Sequence, residues 1–150
     1  MRLLTLWTAL LCATVASAQS PPVKVYLFTA PTSGFVDADS KRVDSVKDVR
    51  RELEHKRKVL TLVDTREAAD VVVEILRRSQ SEFGVSGVLQ NVVESELSVP
   101  AMGYSVSLKG GSGLPQPPLW RTAAASLAGN IEKWIKDNRD KVTRHSGGVQ

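Results

Sequence analysis

The sequence predicts an α+β protein, a two-layer sandwich with two helices on one face of a mainly antiparallel sheet of about four to five strands. The chain of 150 residues is 42% hydrophobic and 24% charged, with a net charge of +4, which is typical of a globular protein. Short β-branched runs are bounded by turn residues, as strands are. Two longer segments carry apolar residues at helical spacing, so each can bury one stripe against a sheet.

The first 18 residues have the pattern of a cleavable export signal. Arg2 precedes an apolar run from Leu3 to Cys12, and Ala16–Ala18 closes the segment as a small-residue cleavage site. The run is shorter than the roughly 20 residues that a membrane-spanning helix needs, and no later stretch comes close. We therefore expect residues 1–18 to be removed before Gln19 and the protein to be exported, to a periplasmic or extracellular location.

Cys12 is the single cysteine, and it leaves open a second way in which the N-terminal segment could be processed. A cysteine at the end of the apolar run can be the acylated first residue of a lipoprotein, but Leu10 and Leu11 stand where small residues are usual. Without Cys12 the mature chain has no thiol for a disulfide, a nucleophile or a metal site. An exported domain of this kind suits a bacterial cell envelope.

Three strands and a helix are predicted in the first half of the mature chain. Val23–Thr29 and Val59–Val63 are short β-branched strands, and Val71–Arg78 begins with the near-continuous apolar run of a central strand. Between the first two strands, a polar loop leads to a helix with its N-cap at Asp44 or Ser45. The apolar stripe of this helix consists of Val46, Val49 and Leu53.

The second half is predicted to complete the sheet and add the second helix. Residues 79–93 show little periodicity, which indicates a loop or a distorted hairpin arm, and residues 104–109 alternate as a half-buried antiparallel strand. A helix is predicted over residues 119–138, so residues 19–139 form one domain and 140–150 a polar, flexible tail. The helix stripe holds Trp120, Ala123, Ala124, Leu127, Ile131, Trp134 and Ile135.

Lysines and arginines are concentrated in and just after the first helix. Those outside the apolar stripe can meet water or an anionic partner. The candidate binding residues are Lys47, Arg50, Arg51 and Lys58. For an exported protein, anionic lipid head groups or cell-wall polymers are more fitting counterparts than nucleic acid. A solvated helix face without a binding role is the alternative.

Arrangements that carry catalysis or bind metals are scarce. His55 and His145 do not make a plausible zinc pair. The Gly-x-Ser segments lack the closing glycine of a nucleophile elbow. Alternate acids from Asp37 resemble the start of a calcium loop, but cations follow where ligands are needed. We therefore predict no catalytic residue, no metal ion and no cofactor.

Two residue pairs have both a structural and a functional interpretation. Glu94 and Glu96 could face one way on a strand as a carboxylate pair, although two solvated acids are commoner than a catalytic dyad. Trp120 and Trp134 are nearly four helical turns apart, which favours a place in the core for both. A ligand-stacking role requires one of them to be exposed beside a cleft.

Three segments carry a resemblance to known proteins: Lys58–Asp64, Ala69–Glu74 and Ala124–Ile131. With the order of strands and helices around them, they resemble the small α/β domain shared by the amino-terminal region of the Tol-Pal translocation protein and the curli-secretion channel subunit. This chain lacks the propeller of the first family and the acylated N-terminal cysteine of the second. The resemblance implies an envelope interaction module without chemistry of its own.

The preferred interpretation is a non-catalytic binding or adaptor module of the bacterial cell envelope, with an envelope protein or an anionic envelope surface as its partner. One alternative is a small envelope hydrolase that uses Ser or Asp/Glu. Another is a cationic surface module for anionic lipid or cell-wall polymer. A cleft that brings His55 or an acidic pair within hydrogen-bond reach of a hydroxyl would favour the hydrolase.

We expect the exported protein to begin at Gln19, because Ala16–Ala18 has the small residues that a signal peptidase accepts. The intact mass of the protein recovered from the producing cells decides this. A diacylated species that begins at Cys12 would contradict it.

Overall fold

The computed structural model describes residues 20–31, 36–83, 88–112 and 119–146. The predicted export signal lies outside these ranges. Along the chain, the elements are β1 (Val23–Phe28), α1 (Val36–Glu54), β2 (Leu60–Val63), β3 (Val71–Phe83), β4 (Val88–Val99), a 3-10 turn (Pro100–Met102), β5 (Tyr104–Gly111) and α2 (Trp120–Ser146).

The strands form one five-stranded mixed sheet in the order β2-β1-β3-β4-β5. β1 lies parallel to β2 and β3, whereas β4 pairs antiparallel with β3 and β5. Parallel neighbours cannot be joined by a tight hairpin, and α1 makes the connection between β1 and β2. The predicted two-layer α+β architecture is confirmed. The sheet is mixed because its first three strands are joined by crossovers.

Both helices pack on the same face of the sheet. α1 contributes Val49 and Leu53 and α2 contributes Leu127 and Ile131, all fully buried. They meet the inward side chains of the strands, among them Val23, Val25, Leu27, Val71, Val73, Ile75, Val93 and Leu97. The apolar stripes of both helices therefore face the sheet, as the sequence predicts.

α2 lies very close to β5 at Gly110. A Cβ atom at this position would stand 2.3 Å from the carbonyl oxygen of Ala123 and 2.6 Å from the Cβ of Leu127. Both distances are well below ordinary carbon contacts, so only glycine allows the helix and the strand to approach in this way. Ala124 and Ala128, also fully buried, extend the small-residue surface of α2.

β3 contains a bulge at Leu76. The pairing of β3 with β4 shifts register just after Ile75, and Leu76 is left 39% exposed. Beyond the bulge, Arg78 lies opposite the buried Val93 and therefore on the helix side of the sheet. Its guanidinium lies 4.0 Å over the ring of Trp120, a cation–π contact at the rim of the core.

α1 begins at Val36 rather than at Asp44 or Ser45. The Ser45 hydroxyl does not cap the helix, because it donates to a carbonyl one turn earlier inside it. Asp39 and Arg42 form an ion pair one turn apart, which supports the polar first turns. The predicted cap was therefore two turns too late along the chain.

Most of residues 79–93 are strand. β3 continues to Phe83, β4 begins at Val88, and the two pair through this whole stretch. The hairpin alternative is therefore correct, and the loop alternative is wrong. Polar side chains from Ser79 to Glu82 concealed the strand, because they interrupt the apolar alternation that marks a half-buried strand.

α2 runs to Ser146, so the predicted helix end at Asn138 is wrong. The polar tail expected from residue 140 is helical through its first turns. Val142, seven residues after Ile135, is fully buried and extends the apolar stripe by two turns. Arg139 also donates to the carbonyl of Pro21 at 2.7 Å, which joins this end of α2 to the segment before β1.

Replacing Leu127 with alanine is expected to lower the free energy of unfolding by about 2–5 kcal/mol, because the side chain is fully buried between α2 and the sheet. Urea denaturation measures the change. Lys133→Ala, on the exposed side of the same helix, is the control and should change the value by less than about 0.5 kcal/mol. An equally small loss for Leu127→Ala would contradict the packing described above.

Candidate functional site

Three of the four predicted basic residues lie on α1, and each has an acidic partner. The pairs are Lys47 with Asp44 at 3.7 Å, Arg50 with Asp64 at 3.8 Å, and Arg51 with Asp48 at 2.9 Å. Surface pairs of this kind add little stability, but they reduce the positive potential of the helix face. The structure therefore does not bring the four predicted residues together as one uncompensated patch.

The fourth predicted residue, Lys58, belongs to the turn between α1 and β2, which we call the basic turn (residues 55–58). Two backbone hydrogen bonds of 2.9 Å close it, from Lys56 to the carbonyl of Leu53 and from Val59 to the carbonyl of Lys56. Leu53 and Val59 are buried and anchor its ends. Of the four side chains of the basic turn, those of His55, Arg57 and Lys58 are exposed.

The basic turn forms one wall of a cleft of about 600 Å³. The lining residues are Glu54, His55, Lys56, Arg57, Lys58, Val59 and Glu132. Cations are favourable here because the C-terminal end of a helix carries partial negative charge, and the Arg57 side chain donates to the carbonyl of Glu54 at 3.2 Å. The wall holds three cations against two carboxylates, so its net charge is positive.

Glu132 of α2 connects the basic turn to the second helix. Its carboxylate accepts hydrogen bonds from Lys136 at 2.7 Å and from Lys56 at 2.6 Å. The bond from Lys136, and then the bond from Lys56, hold the pKa of Glu132 below its ordinary value, while partial burial acts in the opposite direction. Lys56 is thus engaged by Glu132, whereas Arg57 and Lys58 remain exposed at the mouth of the cleft.

The cleft is suited to bind an anion. Arg57 supplies a planar fork of N–H donors, and Lys58 supplies the donors of a compact ammonium group. His55 lines the same cleft, but none of the described lining residues carries a hydroxyl, so the arrangement that would favour a hydrolase is not formed there. Within the described ranges, no group of three or more His, Cys, Asp or Glu is placed to hold a metal ion.

The other acidic candidates lie away from this cleft. Asp39, in the stretch with calcium-like spacing, pairs with Arg42 inside α1. Glu94 and Glu96 share one face of β4, as predicted, on the side of the sheet that the helices do not cover. Glu94 binds Lys109 of the neighbouring strand at 3.0 Å. These contacts are those of a solvated sheet face.

Both tryptophans of α2 lie at the margin of the core rather than inside it. Trp120, beneath Arg78, lines a cleft of about 390 Å³. Trp134 stacks on Tyr104, with ring centroids 6.1 Å apart, and lines a pocket of about 160 Å³. Strand alternation places Tyr104 on the helix side of the sheet. This alternation is the feature of the sequence from which its contact with Trp134 could have been predicted. The contact of Arg78 could not be read from the sequence, because the bulge reverses the alternation.

No family model matches this chain, and no curated protein matches it. Among solved structures, a variant of the PelC dodecamer from Paraburkholderia phytofirmans is similar at 16% identity over 74% of this chain and 85% of that chain, with a TM-score of 0.47. A second PelC dodecamer structure from the same organism is similar at 17% identity over 74% of this chain and 86% of that chain, with a TM-score of 0.44. The hypothetical protein CT253 from Chlamydia trachomatis is similar at 11% identity over 81% of this chain and 97% of that chain, with a TM-score of 0.40. The resemblance to the Tol-Pal and curli proteins stays a prediction.

Across the described ranges, no helix combines the length and the apolar run that crossing a bilayer requires. α1 and α2 each present one apolar stripe to the sheet and charged residues elsewhere.

Glu132→Gln is expected to destabilise the protein at pH 7 and to have less effect in acid. The folded-state pKa of Glu132 is lowered, so its ionised form stabilises the fold above the ordinary pKa near 4.5, and this contribution is lost as the pH falls through the lower folded value. Urea denaturation of wild type and variant from pH 7 to pH 3 measures it.

Lys133→Gln, on the exposed neighbouring residue, is the control and should show no such trend. A difference between wild type and Glu132→Gln that stays constant from pH 7 to pH 3 would contradict the described pairing.

Proposed function

We propose that the protein is a non-catalytic, exported binding module of the bacterial cell envelope, and that its ligand is an anionic group held at the basic turn. The observation that carries this proposal is the position of Arg57 and Lys58, both exposed, on one wall of a cleft of about 600 Å³. The export pattern of residues 1–18 supports the envelope location.

The basic turn is a better centre for binding than the outer face of α1. An anion at Lys47 or Arg51 competes with a carboxylate one helical turn away. Arg57 and Lys58 have no ion-pair partner within the described residues, and Lys56 is kept in place by Glu132. Of the residues predicted from the sequence, Lys58 therefore remains in the proposed site.

The ligand chemistry follows from these side chains. A guanidinium presents a planar fork of donors that matches phosphate or carboxylate oxygens, and an ammonium adds a compact charge beside it. Envelope lipids carry phosphate and many envelope polymers carry carboxylate, so both are sources of the same anionic chemistry. Because the side chains are exposed, binding should depend strongly on ionic strength.

Binding is tested with two probes, vesicles of phosphatidylglycerol and a soluble carboxylate polymer, polygalacturonate. The double reversal Arg57→Glu/Lys58→Glu is compared with Lys47→Glu/Arg51→Glu, which makes the same change of net charge on the helix face. Neither should disturb the fold, because exposed charges contribute little to stability. Co-sedimentation or gel-shift measurement is made at low salt and at physiological salt, where screening acts over about 8 Å.

We expect the basic-turn variant to lose most of the binding at low salt, and the helix-face variant to keep most of it. Wild-type binding should fall as salt is added. The probe that binds identifies the source of the anion. Loss in the helix-face variant alone would move the site to Lys47 and Arg51, and equal retention by both variants would reject the cationic site.

A further inference from the structure

β5 is at the edge of the described sheet, and no described strand pairs with its outer side. The Ser112 N–H donates to the carbonyl of Asn91 at 2.9 Å and so continues the pairing of β5 with β4. Hydrogen-bonded pairs alternate in an antiparallel ladder. The even-numbered residues of β5 therefore bond to β4, and the backbone groups of Ser105, Ser107 and Lys109 point outward.

One face of α2 borders this outer edge. The Asn130 side chain donates to the outward carbonyl of Lys109 at 2.7 Å, which places that helix face beside the strand. Trp134, Asn138 and Lys141 follow at intervals of four, four and three residues and lie on the same face. Together with the edge from Ser105 to Lys109, this row of side chains bounds what we call the β5 edge groove.

The groove contains backbone groups that have no partner among the described residues. Within the described residues, nothing bonds to the outward N–H and C=O of Ser105 and Ser107. Edge groups of this kind are a template for another strand, and proteins usually block them with charges, prolines or a covering segment. Here Asn130 blocks the carbonyl of Lys109 alone, so an open stretch remains next to it.

A pocket of about 160 Å³ lies at the other end of this open stretch, where β5 begins. Met102, Tyr104, Trp134 and Val142 form its apolar wall, and Asn138 and Lys141 complete the lining. Its volume is below the roughly 300–1,000 Å³ of small-molecule pockets. It matches a single large side chain better than a whole ligand. Tyr104 is 45% exposed, so the pocket is open to an incoming group.

We propose that the β5 edge groove binds an extended peptide segment of a partner protein. The segment adds to β5 as a further strand, places one large apolar or aromatic side chain in the pocket against Trp134, and carries an acidic residue beside Lys141. Strand addition obtains affinity from main-chain hydrogen bonds and specificity from side-chain pockets, and this groove offers both. A peptide ligand gives the molecule the adaptor role at a surface separate from the basic turn.

A second copy of this chain fits the groove less well than a peptide. Antiparallel pairing of two β5 strands about a two-fold axis repeats every contact. The Asn130–Lys109 bond would therefore remove a pairing group in both copies. The backbone of a peptide can form its hydrogen bonds with Ser105 and Ser107 alone. Its sequence can also supply an acidic side chain that complements Lys141.

The two proposed sites are on opposite sides of the molecule. The basic turn leads into β2 and the groove belongs to β5, and these strands are the two edges of the described sheet. On α2, Glu132 and Trp134 are about 200° apart at 100° per residue. Failure of one site therefore does not predict failure of the other, and Arg57→Glu/Lys58→Glu should leave peptide binding unchanged.

The probes are heptapeptides of alternating Thr, Val and Glu with Trp, Phe or Leu at the centre, each matched by a copy N-methylated at alternate residues. Binding is measured by fluorescence anisotropy and by amide hydrogen exchange of Ser105 and Ser107 in the isotope-labelled protein. Ser107→Pro removes one outward N–H and leaves the pairing with β4 in place, since proline is tolerated on an edge. Ser107→Thr keeps the N–H and is the matched control.

We expect at least one heptapeptide to slow exchange at Ser105 and Ser107, with Ser107→Pro weakening binding about three- to tenfold and Ser107→Thr leaving it unchanged. The N-methylated copies should bind more weakly than the parent peptides. Equal binding of parent and methylated peptides, or no exchange protection by any heptapeptide at millimolar concentration, would overturn the proposal. Protection that grows with protein concentration in the absence of peptide would instead assign the groove to a second copy.

Discussion

The contact between the backbone of α2 and Gly110 of β5 determines where α2 places the side chains that border the two candidate surfaces. Because no Cβ separates the two elements at that point, the helix is seated directly on the strand. From that position Glu132 faces α1 and reaches Lys56, while Trp134 faces the sheet edge and reaches Tyr104. A larger residue at 110 would displace the helix and move both contacts together. The packing of one glycine is therefore a condition for both candidate surfaces.

The charges of the molecule are distributed unequally around this scaffold. On the outer face of α1, cations and carboxylates alternate at helical spacing and compensate one another. At the end of α1 the chain leaves the helix, so the same residue types lose their regular acidic neighbours and gather around one cleft. Clustering of positive charge thus results from three consecutive basic residues, Lys56–Lys58, at the end of a helix whose own cations have acidic neighbours.

Sequence periodicity predicted the elements that bury a continuous apolar stripe. The two-layer arrangement, the stripe of Leu127 and Ile131, and the strand at Tyr104 were all accessible in this way because burial imposes a period. The arm beyond Arg78 was not, since the β3 residues from Ser79 to Glu82 are polar on both sides of the strand. Lys58 was found as a basic residue, but its turn geometry depends on backbone bonds that leave no mark on composition.

The hydrogen bonds of Arg139 have a consequence for the order of events in biogenesis. They join the last turns of α2 to the carbonyls of Ser20 and Pro21, so the folded domain reaches back to the start of the predicted mature chain. With cleavage after Ala18, Gln19 alone lies between the scissile bond and Ser20. A peptidase requires a locally extended chain, which a docked segment does not offer. For the predicted leader, removal and docking of the C-terminal helix would therefore be competing steps, and we expect processing to precede the folding of that helix.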